Sequence, residues 1–351
     1  MPTDYDALLI VSFGGPEGPD DVLPFLENVL RGRNVPRERM LEVAEHYRRF
    51  GGKSPINEQN RQLIVALEME LAAHGPQLPI YWGNRNWHPL LTDTMRQMAA
   101  DGVRHALTFV TSAFSSYSGC RQYREDITRA QQAVGPTAPR VDKLRVFFNH
   151  PGFIEPMIER TRDAWAQVPS DRREQALMVF TAHSIPLSMA AGCAYEAQLR
   201  DACRLVAEGV ANSLALWERA GVRVPWQLAY QSRSGPPQQP WLEPDVGVFV
   251  ERRQASGVRC QDVVVVPIGF ISDHMEVVYD LDTELRERCE RLGINLVRAA
   301  TVGTHPRFIR MIRELIEERM SDSPVRPALG TLGPKEDVCP EDCCLYEPRR
   351  A

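Results

Sequence analysis

Short apolar runs alternate with helix-like segments along the whole chain, and this alternation restricts the fold more than any other feature. Most of the runs lack the polar alternation of a half-exposed sheet, so the strands they predict are buried on both faces. The predicted strands lie within residues 7–13, 80–89, 106–114, 176–182, 226–232, 262–272 and 294–300. Strands separated by helices form parallel sheets that helices cover on both sides. An α/β protein is therefore predicted.

The length of 351 residues is enough for two lobes of ordinary size, each with its own core. The strand and helix pattern repeats in the second half, and a loop rich in proline and glycine at 135–140 separates the halves. We expect two Rossmann-like lobes, 1–145 and 146–330, whose parallel sheets are flanked by helices. A cysteine-rich tail follows at 331–351.

Charge and hydropathy exclude several classes of function. The net charge is −5 and no basic stripe alternates with aromatic residues, so a nucleic-acid partner is not expected. The acidic N-terminus lacks the apolar core of a signal peptide. The longest apolar run is far shorter than the roughly 20 residues that span a membrane. A cytoplasmic protein without a transmembrane segment is predicted, and the oligomeric state stays open.

Residues 271–284 combine a strand end with a line of carboxylates. At about 100° per residue, Glu276, Asp280 and Glu284 fall on one helical face, and Asp273 lies one turn earlier, slightly off that line. A solvated helix face would show the same pattern. The position favours function, because open α/β sheets bind ligands at the carboxyl ends of their strands. Like charges there raise a carboxyl pKa or attract a cation, which indicates metal and proton traffic.

His183 follows another buried strand and is a candidate partner for these acids. A single histidine at a strand end can be purely structural, but imidazole exchanges a proton near neutral pH. If the two strands are neighbours in one sheet, His183 and Glu276 face each other across a cleft. Such a mixed, incomplete ligand set suits passing a metal on rather than keeping it. No Cys/His or HExxH spacing typical of stored zinc accompanies them.

Three weaker signals lie in the first lobe. The turn Gly14-Gly15-Pro16 lacks the third spaced glycine of a dinucleotide fingerprint. Segment 31–53 is basic, with aromatic residues among the cations, which fits a solvated surface or an anion-binding rim. Ser54 and Pro55 predict the start of a helix that ends at Gly75, with Ser54 as its N-cap.

Eight cysteines are present, and three of them lie within the last thirteen residues. In a reducing compartment, clustered cysteines hold metal or carry out redox chemistry more often than they form disulfides. The tail is therefore a candidate metal-binding segment.

Several stretches together resemble the ferrochelatases. They are 51–55, 181–186, 231–233 with Trp241, and above all 268–280, which is the most specific. The likeness runs in order from Phe13 beyond Glu284 and covers most of the chain. It implies a chelatase-like pair of Rossmann-like lobes and a lyase of haem biosynthesis. Such an enzyme inserts its substrate, ferrous iron, into a porphyrin held between the lobes.

The resemblance also implies roles for particular residues. His183 and Glu276 match the family's metal-site pair on one face of the porphyrin. Their implied neighbours are Asp273 and His274, and the implied path for cations is Asp280 and Glu284. This chemistry is reasonable, because metallation removes two pyrrole protons, which an imidazole can accept and a carboxylate chain can export.

Porphyrin contacts are implied mainly in the first lobe. Phe13 stands on the opposite face, where other members carry tyrosine or methionine, and phenylalanine cannot ligate iron. The remaining implied contacts are Arg31, Arg33, His46, Tyr47, Ser54, Arg85, Tyr123 and Trp241. One subfamily makes protohaem at a membrane through an apolar lip, and the other metallates coproporphyrin in solution. The charged 31–53 segment favours coproporphyrin III, with protoporphyrin IX as the alternative.

The tail can hold a cofactor if it has a fourth thiolate. In ferrochelatases that contain an iron–sulfur cluster, that thiolate comes from an internal position that Cys120 matches. The resemblance thus implies a [2Fe–2S] cluster on Cys120, Cys339, Cys343 and Cys344. Zinc in the same four sulfurs is the main rival.

Other functions stay open on the sequence alone. A cobalt or nickel chelatase of the same fold would differ in the metal it accepts. A non-catalytic haem or iron carrier would bind porphyrin without accelerating metallation. A pair of nucleotide-binding lobes would bind NAD or ATP.

Overall fold

Two parallel four-stranded sheets form the frame of the protein. The computed structural model describes residues 4–32, 35–215, 224–235, 238–257 and 260–346. The first sheet has the order β2-β1-β3-β4, with β1 Ala7–Ser12, β2 Ile80–Asn84, β3 His105–Val110 and β4 Arg140–Lys143. The second has the order β6-β5-β7-β8, with β5 Leu177–His183, β6 Trp226–Gln231, β7 Asp262–Val266 and β8 Asn295–Arg298. Every strand pair in both sheets is parallel, which confirms the predicted α/β class.

Helices connect the strands. Those before β5 are α1 Val22–Val29, α2 Arg37–Arg49, α3 Ile56–His74, α4 Leu91–Ala100, α5 Gln122–Val134 and α6 Pro151–Trp165. Those after it are α7 Leu187–Ala190, α8 Tyr195–Ala215, α9 Val246–Ala255, α10 Met275–Tyr279, α11 Arg286–Arg291 and α12 Pro306–Met320. Two π-helical segments, Tyr117–Arg121 and Asp280–Leu285, lead into α5 and α11. Short 3₁₀ turns occupy Pro19–Asp21 and Arg173–Gln175.

The inner faces of the two sheets contribute to one continuous hydrophobic core. Ile10 and Phe109 from the first sheet belong to the same buried cluster as Phe180 and Val264 from the second. Phe153, from α6, makes edge-on and tilted contacts with the aromatic rings of this cluster. Because burying apolar surface is the main stabilising contribution to folding, the lobes support each other.

Two local expectations need correction, and a third lies partly outside the described residues. Pro55 is the N-cap of α3, and no side chain caps that helix end, so the predicted capping role of Ser54 is wrong. The strand predicted over 262–272 ends at Val266, because Pro267 has no N–H to donate and the chain turns there. Gly269 follows in that turn, where an added Cβ would lie 2.6 Å from the Cβ of Ala182. The last residues of the helix predicted over 195–220 lie outside the described residues.

A buried histidine caps α6. His150 is fully buried, and its Nδ1 accepts a hydrogen bond from the backbone N–H of Gly152 at 3.0 Å. Burial, together with the charges of Arg145 and Arg307, lowers the pKa of His150 to about 3. A protonated imidazole could not accept this bond, so the folded state requires the neutral form.

Stability is therefore expected to fall as the pH drops through the range in which only the unfolded His150 binds a proton. The pKa of His150 in the folded protein is below its ordinary value of 6.5. Its contribution to stability is therefore complete above about pH 6.5 and is lost as the pH falls toward 3. The limiting slope is about 1.4 kcal/mol per pH unit. The free energy of unfolding, measured with urea at several pH values in this range, should depend less steeply on pH in His150→Asn. Asparagine keeps a capping acceptor but has no proton to gain. The exposed His74→Asn should match the parent, and equal slopes in all three proteins would contradict the assignment.

None of the helices in the described ranges combines the length and the apolarity that crossing a bilayer requires.

Candidate active site

The strand order brings His183 and Glu276 together. His183 ends β5, and β7, its neighbour in the sheet, leads into the turn before α10, whose first turn carries Glu276. The distance from His183 Nε2 to Glu276 Oε1 is 3.3 Å, with the two side chains 30% and 43% exposed. The structure thus brings the two side chains into contact, as expected for residues at the ends of neighbouring strands.

The pair is a coupled acid and base. Although desolvation alone would lower it, the charge and hydrogen bond of Glu276 and the carbonyl of Ser184 raise the pKa of His183 to about 9. Desolvation would raise the pKa of Glu276, but the imidazolium lowers it to about 2. At neutral pH the pair is therefore an imidazolium and a carboxylate. His183 must lose a proton before its Nε2 can bind a metal.

Backbone anchors hold the pair in position. Tyr195 Oη donates to the carbonyl of His183 at 3.1 Å. The Gln231 amide donates to the carbonyl of Glu276. His274 is the N-cap of α10, and its Nδ1 accepts from the N–H of Glu276 at 3.2 Å. Burial lowers the pKa of His274, so it stays neutral and able to accept.

Asp273 does not belong to the helical line of carboxylates that its sequence spacing placed it next to. Its carboxylate accepts hydrogen bonds from Arg298 at 3.2 Å and from Thr301 Oγ1 at 3.2 Å. Its backbone N–H donates to Gln59 Oε1 at 2.8 Å. Because Asp273 precedes α10 in an extended turn, the helical angle from sequence did not apply to it. It secures the turn that carries the pair.

The remaining acids extend away from the pair toward the surface. Burial raises the pKa of Asp280 to about 7, and the charges of Glu276 and Glu284 add to the rise. Ser232 Oγ donates to the Asp280 carboxylate. Glu284 is exposed. A carboxyl that titrates near neutrality, between the half-exposed Glu276 and the exposed Glu284, can pass protons in either direction.

Residues of the first lobe form the opposite wall. Phe13 is 37% exposed, and the Arg85 guanidinium lies 5.9 Å from the centre of its ring. The His46 ring stacks on Tyr279 of α10 at 3.8 Å, so the two lobes meet at this point. Tyr47 lies close enough to Glu276 for its pKa to be raised by that charge, in addition to burial.

The residues implied as porphyrin contacts differ in their surroundings, and several are buried or paired with other side chains. The Arg85 side chain forms a largely buried ion pair with Asp126 and covers the Tyr123 ring at 4.5 Å. Tyr123, Ser54 and Trp241 are all buried. Arg31 is exposed. Arg33 lies outside the described residues.

The four implied cluster cysteines come together although they are distant in sequence. Buried Cys120 contacts Cys339 through its thiol. Cys343 Sγ lies 3.6 Å from Cys344 Sγ, and Cys344 interacts with Cys120. Arg121 fastens the tail by donating to the carbonyls of Glu341 and Cys343. Among the described residues, no three His, Cys, Asp or Glu side chains are arranged to hold a single metal ion.

Sequence reasoning missed most of the supporting residues. Arg298 and Gln59 anchor Asp273, and Tyr195 anchors His183. Each lies in an element that reads from sequence as an ordinary helix or strand, so no local signal marks it. Only the fold brings these residues to the site.

The sheets and the paired side chains between the lobes define a chelatase-like α/β protein. The solved structure of SirB from Bacillus subtilis with Fe³⁺ has this fold. It aligns with a TM-score of 0.52 over 91% of this chain and 97% of the SirB chain, at 11% sequence identity.

Sequence comparison gives the family. The family described as Ferrochelatase matches residues 5–320. A ferrochelatase of Rhodopirellula baltica is 57% identical over 99% of this chain and 95% of its own length. A coproporphyrin III ferrochelatase of Streptomyces coelicolor is 53% identical over 99% and 94%, and one of Mycolicibacterium smegmatis is 51% identical over 93% of each chain. The chain belongs to the ferrochelatase family.

Proposed function

We propose that this protein is a lyase that inserts ferrous iron into coproporphyrin III, with His183 and Glu276 at the metal site. The observation that carries the proposal is the contact between these two side chains, half-exposed between the lobes, in a member of this family. The names of the relatives from Streptomyces coelicolor and Mycolicibacterium smegmatis support coproporphyrin III. We further propose a cytoplasmic location and lobes that divide near residue 145, with the tail beginning at 331.

Insertion of Fe²⁺ releases the two pyrrole protons of the porphyrin, and His183 Nε2 must lose its own proton as well. The His183 proton leaves when iron approaches, because metal and proton compete for Nε2. Asp280 is positioned to accept protons and to release them toward Glu284, since its pKa of about 7 matches the working range. His274 and Asp273 act as positioning residues that hold the turn before Glu276. Phe13 supplies an apolar contact without a ligand, so the metal is held from one face.

Charge near the mouth of the cleft supports a substrate with four propionates. Helix α2 carries four arginines and three glutamates, and Arg39 and Arg48 form ion pairs within the helix. Arg31 has no ion pair among the described residues, which leaves its guanidinium available for a carboxylate.

Anaerobic assays with ferrous iron should therefore show higher kcat/KM for coproporphyrin III than for protoporphyrin IX. Arg31→Ala should reduce kcat/KM for coproporphyrin by about three- to tenfold, because a charge-assisted hydrogen bond at an exposed site is lost. Arg37→Ala, which removes an exposed arginine in the first turn of α2, is the control. Equal rates with both porphyrins would argue against the assigned substrate, and stoichiometric binding without turnover would indicate a carrier. Preference for cobalt or nickel would indicate a different chelatase.

We also propose that the four gathered thiols hold a [2Fe–2S] cluster. The residues fit this group, because a cluster requires four thiolates, and the tail meets Cys120 through Cys339 and Cys344, with Cys343 beside both of them. Such a group, when bound, supplies a one-electron redox centre and a link between the tail and the body. Arg121 orients the tail for this by binding two of its carbonyls.

Cys339→Ser is expected to abolish the visible absorption of the purified protein and to lower its iron and sulfide content to near zero. Cys193→Ser is the matched control, because that thiol lies near Cys343 but outside the proposed set. Metal and sulfide analysis with electron paramagnetic resonance after reduction provides the measurement. Zinc without sulfide in the parent protein would show that the rival metal fills the site.

A further inference from the structure

A polar cavity of about 200 Å³ lies between the lobes, beside the turn that carries the metal-site pair. One side is formed by α3 of the first lobe, including Gln59 and Asn60. The other side includes Arg160 of α6 and the loop residues Ser272 and Thr304. Neither His183 nor Glu276 lines this cavity. A volume of this size holds several waters or one small ligand, since a water occupies about 30 Å³ in the liquid.

One lining residue, Arg160, carries a positive charge that no carboxylate of the described residues pairs with. Arg160 Nε is buried without a hydrogen-bond partner, and no carboxylate of the described residues forms an ion pair with Arg160. Two acids on the same helix are engaged elsewhere, with Glu159 bound to His305 at 3.1 Å and Glu155 to Arg307 at 3.2 Å. The third, Asp163, is exposed and forms no ion pair with Arg160. Among the described residues, no acidic side chain lines the cavity. An uncompensated, partly buried guanidinium favours an anionic ligand.

Neutral donors complete the set. Asn60 is 2% exposed, and its Nδ2 has no hydrogen-bond partner among the described residues. Two hydroxyl-bearing residues, Ser272 and Thr304, also line the cavity. Buried donors without partners are rare in folded proteins, because leaving one unsatisfied costs free energy. A guanidinium, an amide N–H and two hydroxyls are a donor set that suits the oxygens of a small oxyanion.

We propose that this cavity is a binding site for a small oxyanion, either phosphate or a small carboxylate. Bound there, the anion pairs with Arg160 and bridges α3 to α6. Gln59, in the same wall, already holds the backbone N–H of Asp273 at 2.8 Å. The anion therefore braces the turn that leads to His274 and Glu276, and it links the two lobes behind the metal site.

Thermal unfolding of the full-length protein tests the site. Inorganic phosphate and succinate are titrated separately, at ionic strength kept constant with chloride. We expect one of the two to raise Tm in a saturable way, and the comparison identifies which oxyanion is preferred. Arg160→Met keeps the apolar stem but removes the charge, so apparent affinity should fall by at least about tenfold. Arg162→Met, which removes an exposed charge from the same helix, should behave like the parent.

Two further measurements separate this site from the metal site and from a folding defect. His183→Ala should retain the full anion-dependent shift in Tm, whether or not the proposed chelatase activity is real. Without anion, Arg160→Met should unfold at the same temperature as the parent or higher, because an unpaired charge is removed. The proposal is overturned if neither anion gives a saturable shift, or if Arg160→Met responds like Arg162→Met.

Discussion

Glu276→Gln is expected to lower kcat/KM for ferrous iron insertion by about 10²- to 10⁴-fold while leaving the fold intact. Glutamine keeps the size of the side chain but removes the charge that raises the pKa of His183. The proposed metal site thereby loses an anionic ligand. His183→Ala should cause a loss of similar size, and the double variant should be little worse than either single one, because residues that act as a unit are not additive. Anaerobic steady-state assays would measure kcat/KM, and thermal unfolding would show whether each variant keeps its fold.

The pH dependence gives this prediction a second readout. In the parent protein, iron binding displaces the His183 proton at any pH below about 9, so apparent affinity for iron should rise with pH, by up to about tenfold per unit. In Glu276→Gln, burial lowers the pKa of His183, so affinity should be weaker but nearly independent of pH around neutrality. Glu287→Gln, which removes an exposed carboxylate from α11, is the control. Parallel pH profiles in the parent and Glu276→Gln would rule out the coupling.

Glu318→Gln is expected to destabilise the protein by about 3–5 kcal/mol. Glu318, near the end of α12, forms two hydrogen bonds with Arg145, which follows β4, at 2.7 and 3.1 Å. The two side chains are 2% and 0% exposed, and Arg145 also donates to the carbonyl of Pro327. The large cost arises because the variant leaves a buried guanidinium without a counter-charge.

Urea unfolding should separate loss of the ion pair from loss of packing. The double variant Arg145→Met with Glu318→Leu should recover most of the lost stability, because no unpaired charge remains. Glu317→Gln removes an exposed ion pair with Arg313 and should cost less than about 1 kcal/mol. If Glu318→Gln were as mild as Glu317→Gln, the pair would not be the link between lobes that its burial indicates.

The sequence was most informative where short-range pattern and chemistry coincide. Unbroken apolar runs such as 263–266 predicted buried parallel strands, and the structure has those strands. His183 and Glu276 each stand just beyond a strand, and the edge of a parallel sheet gathers strand ends. The motifs that resemble ferrochelatases lie at these same edges, so the family could be predicted from them, together with the contact between His183 and Glu276.

Other properties depended on the surroundings of a residue. The protonation of His183 could not be predicted from the sequence, because it follows from the distance to Glu276 and from the loss of water around both groups. Asp273 was assigned to the acidic line, because sequence spacing assumes a regular helix that begins only at Met275.

The sequence by itself determined which segments are strands and helices, and which residue types stand at their ends, because these follow from local hydropathy and turn chemistry. Only the tertiary structure decided which ends meet and how they ionise. Strand order in the sheet places β5 beside β7, and the packing of α12 against both α3 and α6 leaves Arg160 Nε without a hydrogen-bond partner among the described residues. Electrostatic free energies depend on distance and on the surrounding dielectric, and neither quantity can be obtained from a linear sequence.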